Sequence, residues 1–354
     1  VNELTAAGVL LDTIRFNVVS DSVNCTYNGQ IRNSKNNPQY VFNSLFDGYV
    51  FDQGSGLNIS IYDAANRLGL KLGATATIED TGTRLHLLTD DIILGYKRFE
   101  ANENNYLFLG DDNRVSANLK LKSADGMGLQ VYTNDENQDV LQDITVGLSN
   151  FDLSKITSVL PYFPKISGNM NGDFHAIQTK ENITLSSNLS VDKMTYEGCS
   201  LGDISTEFVY IPQEDGSHYL DAVLFSEGSQ VGSLIGTYHP AGKGVLNADL
   251  KLEHLPMNIV NGFIPQQLFG FEGYADGSMK VRGELSKPHV DGEVFLDSMY
   301  MVSVPYGVKL RFSDDPVRVV DSKLMLENFE VFGHNDNPLN IYGNINFADL
   351  DNVY

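Results

Sequence analysis

Few residues of this chain have the type and spacing that catalysis requires. Seven histidines stand singly: His86, His175, His218, His239, His254, His289 and His334. None forms the His-x-x-x-His or Cys-x-x-Cys spacing that binds zinc, and neither a nucleophile elbow nor a phosphate-binding glycine loop occurs. A lone histidine is more often structural or solvated than a ligand. The sequence therefore predicts no enzyme, no metal site and no cofactor.

Acidic clusters are the second group of residues whose type could support metal binding or catalysis. They lie at Asp90-Asp91, at Asp111-Asp112-Asn113 and at residues 134–139. Carboxylates bind Ca²⁺, but none of these clusters follows the calcium-loop spacing, so we interpret them as solvated turns. A pair of carboxylates for glycoside hydrolysis needs only to meet in space. A β-rich hydrolase and a carbohydrate-binding protein are therefore alternatives. Sugar rings stack on aromatic side chains, and the absence of Trp counts against both, although 17 Tyr residues could serve.

Composition excludes some partners. The 354 residues carry a net charge of −22, which repels nucleic-acid backbones and anionic membrane surfaces. We expect Cys25 and Cys199 to be separate thiols. No apolar run approaches the roughly 20 residues that a membrane helix needs. The chain starts at Val1, and we expect it to be part of a longer protein whose membrane anchor lies elsewhere.

Alternation of apolar and polar residues dominates the elements that must position any site. It is clear in 183–191, 246–252 and 279–296, and also in 14–18, 57–61, 70–76 and 115–121. Such alternation is typical of strands with one apolar face. Polar turn sequences, for example Glu214-Asp215-Gly216, separate the runs at the spacing of antiparallel meanders. The sequence predicts an all-β fold with a few short helices and a long antiparallel sheet.

An internal repeat breaks the alternation twice. Leu148–Pro161 aligns with Leu252–Pro265 at an offset of 104, and a Gly-x-x-x-Gly follows each segment. Apolar spacing within each predicts a short helix that the proline ends. We interpret the glycines as a turn. This divides the chain into a β-rich portion 1–145 and two repeat units, 146–250 and 251–354, each a short helix, a Gly turn and strands.

The apolar strand faces must be covered. The common solution is a packed core, here tandem β-sandwiches. However, the strands continue without a strong linker, and the opposite face is mostly Ser, Thr, Asn, Asp and Lys. One sheet folded lengthwise into an apolar trough satisfies both observations. The residues expected to line it are Ile183, Leu185, Leu189, Val191, Leu246, Leu250, Leu252, Met279, Val281, Leu285, Ile341, Ile345 and Phe347.

A family resemblance rests on the glycine and proline spacing of the second half. The order Val281-x-Gly283-x-Leu285-x-x-Pro288-x-Val290-x-Gly292-x-Val294-x-Leu296 resembles the C-terminal region of TamB-like proteins, in the wider AsmA-like group. Pro305-Tyr-Gly307-Val308 and 337–345 are similar to the family pattern as well. The resemblance covers the chain from about residue 140 to its end.

The resemblance implies a function without covalent chemistry. It implies a periplasmic protein of a diderm bacterium, anchored in the inner membrane by a segment outside this chain. Its trough would hold phospholipid acyl chains between the inner and outer membranes, and an outer-membrane assembly protein of the Omp85 type would be a partner. A structural scaffold for outer-membrane protein assembly is a related alternative. A carbohydrate-binding or adhesin-like β-protein with packed sandwich cores is the alternative from another class.

Overall fold

The chain is all-β, with a long antiparallel sheet and, among the residues that the structure describes, two short helices; the sequence predicts an all-β fold with a few short helices. A computed structural model describes residues 4–6, 9–21, 24–33, 42–134, 140–160, 163–264, 268–284, 287–303, 305–334 and 337–348. The chain forms two compact units, unit 1 (Val1–Glu181) and unit 2 (Asn182–Tyr354). These two units do not coincide with the three segments expected from the repeat.

The described residues of unit 1 form fifteen strands and one α-helix. Its strands are β1 (Leu4–Ala6), β2 (Val9–Leu11), β3 (Thr13–Ser20), β4 (Cys25–Asn33), β5 (Phe42–Phe51), β6 (Gly54–Asp63), β7 (Leu68–Glu79), β8 (Gly82–Leu87), β9 (Ile92–Leu94), β10 (Lys97–Ala101), β11 (Tyr106–Gly110), β12 (Val115–Ser123), β13 (Gly128–Thr133), β14 (Gln142–Asp152) and β15 (Ile166–Gln178). The helix α1 (Leu153–Thr157) lies between β14 and β15.

In the part of unit 2 that the structure describes there are eleven strands and one 3₁₀ helix, Met257–Phe263. Its strands are β16 (Ile183–Tyr196), β17 (Cys199–Pro212), β18 (His218–Ser226), β19 (Ser229–His239), β20 (Val245–Pro256), β21 (Gly270–Glu284), β22 (His289–Ser303), β23 (Val308–Phe312), β24 (Val317–Val320), β25 (Lys323–Phe332) and β26 (Pro338–Asn346).

The strands of each unit pair in chain order, and every pairing among the described residues is antiparallel. Three strands of the meander are interrupted. In unit 1, β8 and β9 lie end to end along β7, while β11 and β10 lie end to end along β12. In unit 2, β24 and β23 divide the length of β22 in the same way. The additional pairings are therefore consequences of interrupted strands in a simple meander.

Polar turn residues end the strands where the sequence predicts. Asp111-Asp112-Asn113 lies between β11 and β12, and Glu214-Asp215-Gly216 lies between β17 and β18. Asn113 takes a φ of 66°, a left-handed conformation that Asn tolerates. The Oδ1 atom of Asp112 accepts the backbone N–H of Arg114 at 3.0 Å. The Oδ1 atom of Asp215 accepts the backbone N–H of Ser217 at 2.9 Å in the same way, so both acidic turns have a structural explanation. Of the acidic cluster at 134–139, residues 135–139 lie outside the described residues.

Among the described residues, fully buried apolar side chains form a cluster only in unit 1. Ile92, Phe99, Leu121 and Met127 are the buried members. Ile156 of α1 packs against them together with Phe151, so this short helix covers part of the sheet. Asp152 caps α1 by accepting the backbone N–H of Ser154 at 3.1 Å. The packed core of the described chain is therefore small and local.

Both predicted helices exist, each shorter than its segment, and the second is a 3₁₀ helix. Pro161 and Pro265 lie outside the described residues. The predicted Gly turn is wrong: Gly168 and Gly172 lie within β15, and Gly273 and Gly277 lie within β21. Gly273 has a φ of 99°, and a Cβ there would clash with the backbone of Ser298. Gly273 and Gly277 thus admit a close backbone approach in the sheet, and none of the four glycines makes a chain reversal.

Neither thiol is in a disulfide, so Cys25 and Cys199 are free. Both are partly exposed. Among the helices of the described residues, none has the length and apolar character that crossing a bilayer requires.

Candidate functional site

The register of unit 2 places the predicted lining residues on one face of the sheet. Directly opposed residues of an antiparallel pair point to the same side. Leu250 opposes Leu234 on one side and Met279 on the other, and Val281 opposes Ala248. Continuing strand by strand, one face, here called the apolar face, includes Ile183, Leu185, Leu189, Val191, Leu246, Leu250, Leu252, Met279, Val281, Ile341 and Ile345.

Two predicted residues need separate mention. Phe347 follows β26 at the same alternation as Ile345, and its N–H donates to the carbonyl oxygen of Ser322 at 3.0 Å. Leu285 lies outside the described residues. The predicted residues of β20 and β21 are direct neighbours, whereas those of β16 and β26 lie several strands away from them. The register therefore brings together only the predicted lining residues of β20 and β21.

Strands between these groups continue the apolar face, and the sequence prediction did not select their residues. Phe208 and Leu224 supply it in β17 and β18, and Val294, Val319 and Leu326 supply it in β22, β24 and β25. Alternation in these runs was the available signal. The alternation did not identify the face of these residues, because the strands are interrupted or carry apolar residues on both faces.

Charge is missing from the apolar face of unit 2. At the strand positions that the register assigns to this face, among the described residues, no Asp, Glu, Lys or Arg occurs. The whole chain carries 70 such residues, as 24 Lys and Arg and 46 Asp and Glu. Their exclusion from one face fits a surface that meets apolar material, because burying an unpaired charge is costly.

Burial alternates along the strands but stays incomplete. Leu246 and Ala248 are buried, Leu250 and Leu252 are half-buried, and the residues between them are exposed. On β16 no described residue is buried, although four apolar side chains share its face. At β26, Ile345 is 41% exposed. The facing side chains of a packed sandwich are fully buried, so most of this apolar face lacks the burial of a sandwich core.

The opposite face of unit 2 is polar in its central strands. Asn247 opposes Arg282, and Asp249 opposes Lys280. Exceptions occur in β17 and β19, where Ile211 and Ile235 are exposed on this face. The polar character predicted for this face therefore holds for the centre of unit 2 and is weaker towards β17.

Unit 1 has an apolar face of the same kind. Its register joins Phe16 of β3 through Phe46 and Ile59 to Leu72 of β7, and then to Val131 and Val146. Gly29 lies opposite Phe16 and Phe46, where the Phe46 ring occupies the space of a Cβ. Among the described strand positions of this face, the charged residues are Asp63 and Lys97, and each ends a strand.

Asp63 is also explained by its neighbours. Its carboxylate accepts from the guanidinium of Arg67 at 2.7 Å and from the hydroxyl of Tyr96 at 3.0 Å. Burial alone raises the pKa of the Asp63 carboxyl, but the backbone N–H of Arg67, which it accepts at 2.9 Å, and then these side-chain hydrogen bonds lower it below its ordinary value. A stably ionised carboxylate with fixed partners closes a turn and performs no proton transfer at neutral pH.

A row of β-bulges crosses unit 2. The register shifts after Val191 in β16, after Leu252 in β20, between Leu296 and the end of β22, and after Leu326 in β25. These strands run in the same direction. Each bulge contains a residue with positive φ, namely Lys193, His254, Ser298 and Asn328. A bulge bends its strand and increases its twist, so the row bends the sheet along its length.

The same bulge occurs in unit 1, in the first copy of the sequence repeat. Asn150 has a φ of 47° and donates its N–H to the Oδ1 atom of Asn171 at 2.7 Å. His254 has a φ of 54° and donates its N–H to the Oδ1 atom of Asp276 at 2.7 Å. The internal repeat is therefore a repeated structure: a bulged strand, a short helix and a returning strand.

An aromatic cluster interrupts the apolar face at one end of its strands. We call Tyr210, His218 and Tyr238 the rim cluster. His218 opposes Tyr238 in the sheet, and its ring stacks on Tyr210 with 4.8 Å between centroids. The centroids of Tyr210 and Tyr238 are 6.5 Å apart. Burial and then the neighbouring Tyr238 raise the pKa of Tyr210, so the Tyr210 phenol stays protonated at neutral pH.

A polar cleft of about 770 Å³ lies beside the 3₁₀ helix of unit 2. Its acidic side chains already have partners. Glu227 accepts the N–H of Asp203 at 2.9 Å, Glu253 accepts from Gln230 at 2.8 Å, and Glu272 pairs with Lys309 at 3.0 Å. These contacts explain the cleft as a junction of strand ends.

The remaining histidines make isolated contacts. His175 contacts Asp143 at 2.6 Å, and His289 contacts Asp321 at 2.5 Å. Within the part of the chain that the structure describes, no three His, Cys, Asp or Glu side chains lie together as a metal site requires. Asp91 of the Asp90-Asp91 cluster pairs with Lys71 and Arg98, and the Lys71 contact is the main reason that its pKa is lowered.

Comparison of the chain with protein-family models, with curated proteins and with solved structures gave no match. The class that can be stated is therefore an all-β protein with a long antiparallel sheet.

Proposed function

We propose that the chain holds lipid acyl chains along its apolar faces, as part of a bridge-like protein that moves phospholipid between two membranes. The observation that carries this proposal is the apolar face of unit 2: it spans β16 to β26, lacks charged residues at its described strand positions, and is only half-buried over much of its area. A soluble protein rarely leaves so large an apolar surface without an interaction partner.

Acyl chains are suitable occupants for physical reasons. Each CH₂ group removed from water contributes roughly 0.8 kcal/mol. A continuous apolar face lets a chain slide from one position to the next without full hydration, because no charge interrupts the path. A charged headgroup stays in water beyond the strand ends. The protein then needs no nucleophile, metal or cofactor.

The row of bulges supports a trough rather than a flat sheet. Its members lie in strands that run the same way, so the bends add along the sheet instead of cancelling. A sheet bent in this way curves around its own apolar face and shields it partly from water. Partial shielding agrees with side chains that are half-buried, such as Leu250 and Met279.

The resemblance to TamB-like proteins supports the same function and supplies the cellular setting of the proposal. This setting is the periplasm of a diderm bacterium, with an inner-membrane anchor outside this chain and an outer-membrane assembly protein of the Omp85 type as partner. The direction of transport and the lipid class are separate questions.

The test is organic extraction and mass spectrometry of the protein purified without detergent. We expect co-purifying phospholipid in the wild type and a loss of most of it in Leu250→Asp, because a charge on the apolar face opposes acyl contact. Asn247→Asp is the matched control: it introduces the same charge in the same strand on the polar face, opposite Arg282. It should retain wild-type lipid.

Two results would contradict the proposal. Lipid-free wild-type protein that remains monodisperse would mean that the apolar faces pack together, as in tandem β-sandwiches. Unfolding of Leu250→Asp with full stability of Asn247→Asp would identify Leu250 as an ordinary core residue.

A further inference from the structure

The rim cluster is an aromatic and polar group on the apolar face of unit 2, whose other polar positions, such as Ser187 and Thr206, carry small side chains. His218 is only 7% exposed, and its Nδ1 atom is buried without a hydrogen-bond partner. An unpaired buried nitrogen costs free energy, so native structures keep one only with a reason. In the strands that continue this row of opposed residues, the positions on the apolar face are apolar or glycine, for example Leu246 and Gly283.

The tyrosine side chains of the rim cluster lie beside this imidazole. Tyr238 lies with its Oη atom against Gly244, in the turn between β19 and β20, so that a Cβ at Gly244 would clash with it. Gly244 also has a φ of 76°, which only glycine adopts readily. This turn therefore holds the Tyr238 hydroxyl at the end of the strands. The ring of Tyr210 stacks on the imidazole beside it.

The cluster contains no carboxylate, lysine or arginine and is rich in hydrogen-bond donors. Two phenols and one imidazole supply O–H and N–H groups, and no lysine or arginine shares the described strand positions of this face. A site for a phosphate would normally include a cation, and the net charge of −22 opposes anions. A neutral acceptor at the boundary between apolar surface and water fits better.

We propose that the rim cluster binds the ester carbonyl groups of a glycerolipid whose acyl chains lie on the apolar face. This inference rests on the proposed function and adds to it the part of the lipid that the protein recognises. Ester carbonyls are neutral acceptors, and in a lipid they lie between the acyl chains and the headgroup. Tyrosine suits that boundary because its ring is apolar and its hydroxyl is polar. The cluster thus selects ester-linked lipid and leaves the headgroup free.

The test compares two soluble short-chain phosphatidylcholines of equal chain length, one with ester and one with ether linkages. Both are titrated calorimetrically into the wild-type chain. We expect the ester lipid to bind at least about fivefold more tightly, the effect of one net hydrogen bond. In the Tyr210→Phe/Tyr238→Phe variant, which keeps both rings, this preference should disappear while affinity for the ether lipid is unchanged. His218→Phe should reduce the preference in the same direction.

The outcomes separate this inference from the proposed function. Equal binding of the two lipids by the wild type, or a preference that survives in the double variant, would overturn ester recognition and leave acyl binding intact. Failure of the wild type to bind either lipid would overturn the proposed function itself. Leu250→Asp should weaken both lipids by the same factor, because it acts on the acyl chains alone.

Discussion

Asp276 shows how one side chain fixes a local backbone feature. Its Oδ1 atom accepts the N–H of His254, the bulge residue with positive φ. Asn171 does the same for Asn150 at the equivalent place in the first repeat. The two acceptors differ in charge but share an oxygen at the same position, so the hydrogen bond rather than the charge is the common element.

We therefore expect Asp276→Ala to open the bulge locally without unfolding unit 2. Loss of one acceptor for a partly exposed N–H costs about 1 kcal/mol, which corresponds to roughly fivefold faster amide hydrogen exchange at His254. Asp276→Asn is the control and should keep the wild-type rate, because its Oδ1 atom remains. Equal acceleration in both variants would show that charge, and not the acceptor, holds the bulge.

At the scale of elements, the two apolar environments of unit 1 differ. The cluster around Ile92 is covered by α1, and Ile92 is 0% exposed. Ile78 belongs to the apolar face, since it opposes Thr83 in the same register as Leu85 and Leu87, and it is 63% exposed. A short helix thus makes a packed core out of one part of a face that is otherwise open.

This difference predicts unequal costs for the same truncation. Ile92→Ala should lower the free energy of unfolding by about 2–5 kcal/mol, because it leaves a cavity. Ile78→Ala should lower it by less than about 0.5 kcal/mol, as for other surface substitutions. Urea denaturation of both variants measures the two values. A similar cost at both positions would mean that Ile78 lies in a packed core, as the sandwich alternative requires.

At the scale of the whole molecule, both units carry an apolar face, and in unit 1 its described charged residues lie only at strand ends, so lipid should contact both. We expect benzoylphenylalanine at Phe46 of unit 1 to cross-link to co-purifying lipid on illumination. The same amino acid at Asp47 is the control, because Asp47 is exposed on the opposite face of the same strand. Mass spectrometry of the tryptic peptides detects the adduct. Equal labelling at the two positions would contradict a lipid path confined to the apolar face.

Much of this architecture could be predicted from the sequence. Alternation around Leu185, Leu246 and Val281 predicted both the strands and the residues that share a face, because side chains alternate with a period of two. The turns at 111–113 and 214–216 followed from Asp, Asn and Gly. The two short helices were predicted from the repeat, although their bounds were too wide.

Other features were not predictable in this way. The glycines of β15 and β21 were interpreted as turns, since a Gly-x-x-x-Gly spacing does not reveal that Ser298 of the neighbouring strand approaches Gly273. The rim cluster was missed because its members come from three strands, β17, β18 and β19. No local spacing connects residues whose proximity depends on strand register.

The sequence by itself determined the all-β class and the identity of the apolar strand residues, because both depend on patterns a few residues long. Only the tertiary structure decided which strands are neighbours, where bulges shift the register, and how fully each apolar residue is buried. The physical reason is that these features depend on contacts with a neighbouring strand. At a bulge, for example, the strand carries one extra residue, so that Leu252 and Leu255 lie on the same face although they are three residues apart. Hydrogen bonds from the adjacent strand, such as the one from His254 to Asp276, fix that position.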